Sequence, residues 1–273
     1  MSNGPARSLG RKSISASLTP RDLMAQERLV KAWQAQIITL FPDAFPGLLG
    51  QSLIGKALKD GIWQLDITDL RTFGEGKHRK VDDTPAGGGA GLVIRPDILG
   101  AAIDHVRKRA PLDRPLVYLS PRGQRFDQRM AERFAASDGV TLICGRFEGI
   151  DERVIEHYGI EEVSLGDFVM TGGEIAAQAL IDASVRLMPR VLGNAASTVD
   201  ESHSNGLLEH PHYTRPATWI GHDIPEILLS GDHGKVEKWR RTMAERLTQQ
   251  RRPDLWRAYC DTHDRDPNED QEL

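Results

Sequence analysis

The stretch LICGRFEGIDERVIEHYGIEEVSLGDFVMTGGE, from Leu142 to Glu174, decides how the rest of the chain is read. Two apolar segments in this region each end at glycine. The first, Val140 to Cys144, is closed by Gly145. The second, around Val163 to Met170, is closed by Gly172 and Gly173. Short β-branched and aliphatic runs stopped by glycine read as buried parallel strands that feed loops. Between them DERVIEHY is helix-forming, so strand, helix and strand alternate as in an α/β fold. In open α/β sheets ligands sit just beyond the carboxyl ends of the strands. With a third glycine cluster upstream, these loops are expected to build one small-molecule pocket.

Upstream, AQIITLF, Ala35 to Phe41, predicts a buried first strand, and FPDAFPGLL breaks it with two prolines. A helix is expected from about Leu48 to Asp60, and a second strand over Ile62 to Leu70. Arg71 to Pro96 is polar and carries Gly87-Gly88-Gly89-Ala90-Gly91, where backbone can approach a ligand closely. The Gly-Lys-Ser/Thr ending of a phosphate loop is absent, which disfavours a general nucleotide-binding protein. Ile98 to Ala110 has a helical pattern. Leu116 to Leu119 reads as a strand ended by Ser120-Pro121-Arg122-Gly123, with a helix from about Asp127 to Ser137. Glu174 to Leu187 reads as the helix that closes the domain, and Pro189 to Asn205 as a linker. A small, mostly helical second domain follows. Its basic helix, Gly234 to Gln250, and the residues after it hold Lys235, Lys238, Arg240, Arg241, Arg246, Arg251 and Arg252.

Composition narrows the class of protein. The 273 residues are 39% hydrophobic and 27% charged, with a net charge of -4 and a pI near 6.1. Bulk charge therefore gives no pointer to nucleic acid, and such a partner needs a local basic patch. Lys77, His78, Arg79 and Lys80 form one such cluster. Two cysteines, Cys144 and Cys260, argue against a disulfide framework or a cysteine zinc site and fit a reducing, cytoplasmic setting. Cys144 reads as a small buried hydrophobe. No apolar run is long enough to span a bilayer, and the N-terminus lacks the core of a secretory signal.

Six segments, HRKVDDTPAGGGAGL, VYLSPRGQ, LICGRFEGIDERV, SLGDFVMTGGE, GLLEHPHYTRP and LLSGDHGKVEKWR, follow one another in an order that resembles the bacterial tRNA (guanine-37-N1)-methyltransferases. The resemblance covers roughly Ala35 to Trp239. It implies a SPOUT-class α/β fold: a parallel-sheet domain with a deep trefoil knot, plus a small helical C-terminal domain. The expected division is 1–32 flexible extension, 33–192 knotted domain, 193–205 linker, 206–260 tRNA-binding domain and 261–273 flexible tail. It also implies a homodimer with active sites built from both chains, tRNA as partner and S-adenosylmethionine as methyl donor. Magnesium stays open at the level of the family, with no ligand assigned.

Carried over by motif, the cofactor pocket takes Tyr118, Leu119, Ser120 and Pro121 from a first loop, and Gly145, Phe147 and Gly149 from a second. Leu165, Gly166, Asp167, Phe168, Val169, Met170, Gly172 and Gly173 come from a third. Guanine N1 carries a proton at neutral pH, so its methylation needs a base, and a carboxylate within hydrogen-bonding reach is the economical choice. The family has aspartate followed by serine in the linker; here Glu201 precedes Ser202, and Asp200 serves if the loop shifts. Arg186 is implied to bind guanine O6, Glu148 to hold the base, and Asp182 to support the site. RNA contacts are expected from the basic helix, the 78–80 loop and the linker, with Trp239 as a stacking candidate. Two further departures from the family are Ala86, where an aromatic is common, and Ala90, where proline is common. His203, His210, His212 and His222 match no standard ligand spacing, so no metal site is expected. The alternatives are a knotted methyltransferase for another RNA base and a catalytically silent RNA-binding SPOUT protein.

Overall fold

A computed structural model describes residues 32–109, 114–192 and 201–267. The 1–32 extension is outside it except for its last residue. Also outside are Ala110 at the end of an expected helix, most of the linker with Asp200, and the tail from 268 onward.

Five parallel strands form the central sheet: β1 (Trp33–Thr39), β2 (Trp63–Asp69), β5 (Leu116–Arg125), β6 (Gly139–Cys144) and β7 (Glu161–Ser164), in the order β2-β1-β6-β5-β7. Strand β6 is buried at all six positions because it lies in the middle of the sheet with helices on both faces. Period-two alternation sorts the side chains. Trp33, Ala35 and Ile37 of β1, Val117 and Leu119 of β5, and Val140, Leu142 and Cys144 of β6 enter one core. That core is completed by α1 (Ser52–Lys59), α3 (Gln128–Ala136) and α5 (Glu174–Val185). Ile38, Leu116, Tyr118 and Ile143 face the other way, against α2 (Pro96–Lys108) and α4 (Glu152–Tyr158). Two buried polar groups find partners beside the sheet: Thr141 Oγ1 donates to Gln36 Oε1 at 3.0 Å, and Trp33 Nε1 to the Phe134 carbonyl at 2.9 Å.

Several features differ from the sequence reading. Strand β5 does not stop at Leu119. It bulges out over Ser120–Gly123 and returns, so that Leu119 and Gln124 both pair with Val163 of β7. Gly123 makes the return possible: a Cβ there would stand 2.3 Å from the Glu162 and Val163 backbone. Strand β7, conversely, ends at Ser164 rather than running to Met170. Among the described residues it is an edge strand, and its neighbour, β5, finishes at Arg125 opposite Ser164. The Ser164 hydroxyl then turns the chain, accepting from Gly166 N at 3.1 Å. The polar 71–96 stretch, which reads as a long loop, also holds regular structure. It contains the antiparallel pair β3 (Asp82–Asp83) and β4 (Val93–Ile94), with Val81 and Ile94 buried.

After Glu201 the chain forms a short hairpin, β8 (Thr218–Trp219) and β9 (His222–Asp223), then α6 (Glu226–Leu229), α7 (His233–Arg251) and α8 (Pro253–His263). Asp232 caps α7, accepting from Lys235 N at 3.2 Å. Leu207, Trp256, Tyr259 and Cys260 make a small separate core. Helix α8 runs past Asp261, where a loose tail is expected from the sequence. Trp256 Nε1 donates to the Pro267 carbonyl at 2.9 Å, and Arg265 pairs with the buried Glu245 at 2.9 Å, tying this segment down. Among the described residues no helix is long and apolar enough to cross a membrane.

Candidate active site

The bulge of β5 and the loops that leave the carboxyl ends of β6 and β7 lie side by side. This is where the strand order doubles back: from β5 the chain goes inward to β6, then outward past β5 to β7. They enclose a cleft of about 280 Å³, near the lower end for small-ligand pockets. Tyr118, Leu119, Ser120 and Pro121 line it from the first loop, and Gly145, Phe147, Glu148 and Gly149 from the second. Leu165, Phe168, Val169, Met170, Gly172 and Gly173 line it from the third. Of the residues expected at the cofactor, Gly166 and Asp167 are not on this wall. Gly166 forms the turn after β7, and Asp167 points out to pair with Arg125 at 2.7 Å, where it is 89% exposed.

The glycines are set by close approach. Tyr118 is buried in the sheet and its ring rises between the second loop's two glycines. A Cβ on Gly145 would stand 2.6 Å from the ring, and one on Gly149 2.8 Å from the hydroxyl. Gly149 also has φ +117°, in the region that side chains avoid. Burial raises the Tyr118 phenol above its ordinary value, which keeps it neutral. Burial likewise pushes the Cys144 thiol well up, as fits a packing residue rather than a nucleophile. Phe147 and Phe168 are half exposed at the mouth and offer aromatic faces to a ligand. The third loop has no helix or strand between Ser164 and Glu174, so most of its peptide groups are outside any ladder. A small ligand needing backbone donors and acceptors beside aromatic faces fits this wall.

The glycine-rich stretch meets the second loop at Glu148. Glu148 N donates to the Leu92 carbonyl at 2.9 Å, and a Cβ on Gly91 would be 2.4 Å from the Glu148 side chain. The sequence reading missed Arg122, Arg146 and Thr171 on the cleft wall. Arg122 forks between Glu152 at 3.0 Å and Glu162 at 3.1 Å. Arg146 lies inside the quoted GRFEG turn, where it and Glu148 are the two charged side chains between glycines and an aromatic.

Arg186 and Glu201 do not line the cleft; they pair with each other. Two parallel bonds, Nη1 to Oε2 at 2.7 Å and Nη2 to Oε1 at 2.5 Å, make a bidentate fork with each side chain about a quarter exposed. The guanidinium holds the Glu201 carboxyl below its ordinary range, and the carboxylate raises Arg186 in turn. Asp182, one helical turn before Arg186, is pushed up by burial, with the Arg186 charge opposing. Ser202, next to Glu201, accepts from Glu209 N at 2.9 Å, which anchors the linker end to the EHPHY segment. There Trp239 packs near His210 and Tyr213, with ring centroids 6.4 and 6.2 Å away. Among the described residues one group has converging metal-ligand atoms: Glu209, His210 and His212, within 4.8 Å of one another. Tetrahedral ligands at about 2.1 Å would stand roughly 3.4 Å apart, and magnesium prefers oxygen donors alone. Glu209 and His212 instead satisfy each other at 2.9 Å. This geometry gives magnesium no support.

Comparison with known proteins bears on this arrangement. The family described as tRNA (Guanine-1)-methyltransferase TrmD matches residues 33–258. A protein of Ruegeria pomeroyi named tRNA (guanine-N(1)-)-methyltransferase is 68% identical over 232 residues, covering 85% of this chain and 96% of the relative. Proteins with the same name from Cereibacter sphaeroides and Rhodopseudomonas palustris are 64% identical over 245 residues and 58% identical over 226. They cover 89% and 83% of this chain, and 98% and 90% of their own lengths.

Proposed function

The chain belongs to the tRNA (guanine-1)-methyltransferase family, and from that premise we propose that it methylates N1 of guanine 37 in tRNA, beside the anticodon, with S-adenosylmethionine as donor. The observation that carries the reading is the Arg186–Glu201 fork. Guanine presents an N1–H donor next to its O6 acceptor. A carboxylate beside a guanidinium is the complementary pair, one accepting from N1–H and the other donating to O6. Glu201 takes the N1 proton as the nitrogen becomes nucleophilic, and Arg186 stabilises the negative charge moving onto O6. When bound in the three-loop cleft, S-adenosylmethionine supplies an electrophilic methyl group on sulfonium. Glu148, on the cleft wall, helps hold the base. Asp200 remains the second candidate for the proton. The guanine leaves its stack to reach the methyl group, as base-modifying enzymes generally require.

Two finer features belong to the same reading. After β7 the chain returns across the end of β5: Gly172 bridges Arg146, and Gly173 N donates to the Gly145 carbonyl at 3.0 Å. That path supports a trefoil knot closed through the second loop. Leu48, Leu53 and Ile175 are 81%, 47% and 67% exposed, an apolar set that supports a homodimer face. The exposed cations Lys235, Lys238, Arg240 and Arg246 of α7, with the 77–80 loop, supply phosphate contacts. Arg241 is already committed to Glu245 and Tyr259.

The test incubates the purified chain with labelled S-adenosylmethionine and unmodified tRNA bearing guanine at 36 and 37, then repeats it with adenine at 37. Label is expected in the first RNA only. Transfer to both or to neither rejects the reading.

A further inference from the structure

Glu174, the first residue of α5, carries a carboxylate that is only 6% exposed directly behind the cleft. Three chain segments converge on it. Thr39, at the end of β1, donates its hydroxyl to Oε1 at 2.8 Å, and Arg146 of the second loop places Nη2 3.0 Å from Oε2. Arg146 also donates through Nη1 to the Thr171 carbonyl of the third loop at 3.1 Å, while its guanidinium lies 4.2 Å from the Phe41 ring centroid. Its buried Nε has no hydrogen-bond partner and packs against Gly172, where a Cβ would stand 2.2 Å away. A partly exposed guanidinium paired with a buried carboxylate, and carrying an unsatisfied buried nitrogen, is a poor source of stability, because desolvation offsets the attraction. What such a pair does well is fix one arrangement among several. Here the arrangement is the spacing between the second and third loops, which form the two sides of the cleft.

We propose that Arg146 and Glu174, braced by Thr39, are positioning residues that hold the third loop at the distance from the second that the methyl donor requires. This rests on the assignment of the cleft to S-adenosylmethionine. The pair acts before chemistry, by presenting Thr171–Gly173 in register with Gly145–Phe147, and takes no part in proton or methyl transfer.

The test is donor affinity measured by calorimetry beside thermal unfolding. The double variant Arg146→Met/Glu174→Leu removes both charges while keeping side-chain bulk, so folding is preserved. It is expected to unfold at or above the wild-type temperature yet bind S-adenosylmethionine at least tenfold more weakly, with tRNA affinity unchanged. Thr39→Val should weaken donor binding several-fold, and Thr39→Ser, which restores the hydroxyl, should return it to the wild-type value. A folded double variant with wild-type donor affinity overturns the proposal. If that variant does not fold, an unchanged affinity in Thr39→Val overturns it instead. A wild-type chain that binds tRNA but no donor overturns the cleft assignment, and this inference with it.

Discussion

At the scale of the residue, the proposed reaction turns on the Arg186–Glu201 fork. In the free chain both carboxylate oxygens are occupied and the carboxyl is held below its usual value near 4.5. A carboxylate so held is a weak base. In the proposed mechanism, guanine O6 takes over the guanidinium and Glu201 regains basicity at the moment a proton is to be removed. Glu201→Gln is therefore expected to lower kcat about a hundredfold or more with donor affinity unchanged, measured in single-turnover methyl transfer. Asp200→Asn, made separately, should leave kcat within a few-fold if Glu201 is the base. The fork also has a signature in stability. A depressed carboxyl stabilises the fold above its unfolded pKa and loses that contribution as pH falls through the folded value. The unfolding free energy of wild type minus Glu201→Gln should thus be flat, at about 1 kcal/mol, above pH ~5 and shrink on further acidification. Urea titrations across that range check it.

At the scale of the element, the informative part of the fold is where strands stop. Strand β6 was legible from VTLIC, because burial on both faces leaves a continuous apolar run. The ends of β5 and β7 were not, because each is decided by its partner. Strand β5 continues to Arg125 only through its pairing with β7, and β7 ends when β5 leaves. Gly123 is the hinge of that exchange. Gly123→Ala would drive a methyl group into the β7 backbone and is expected to destabilise the chain by about 3 kcal/mol, read from the urea midpoint at constant slope. The glycines at 145, 149, 172 and 173 were visible as turns. What demands glycine at 145 and 172, the Tyr118 ring and the Arg146 side chain, comes from other points in the chain and was invisible in sequence.

At the scale of the whole molecule, the proposed reaction draws on surfaces outside the cleft wall. Lys235→Glu with Lys238→Glu on α7 should raise KM for tRNA at least tenfold and flatten its salt dependence, while donor affinity stays unchanged. Leu48→Glu with Ile175→Glu, on the proposed dimer face, should give a monomer by light scattering that no longer transfers methyl groups. The sequence alone determined the α/β class and the glycine turns after β6 and β7, because apolar periodicity and glycine punctuation are local properties written in consecutive residues, while its six motifs carried the resemblance to the family. Only the tertiary structure decided that Arg186 clasps Glu201 and that Arg146 clasps Glu174. It also decided that Asp167 turns away from the cleft. Those outcomes depend on which distant segments the sheet order brings within hydrogen-bonding distance, and no local pattern encodes that.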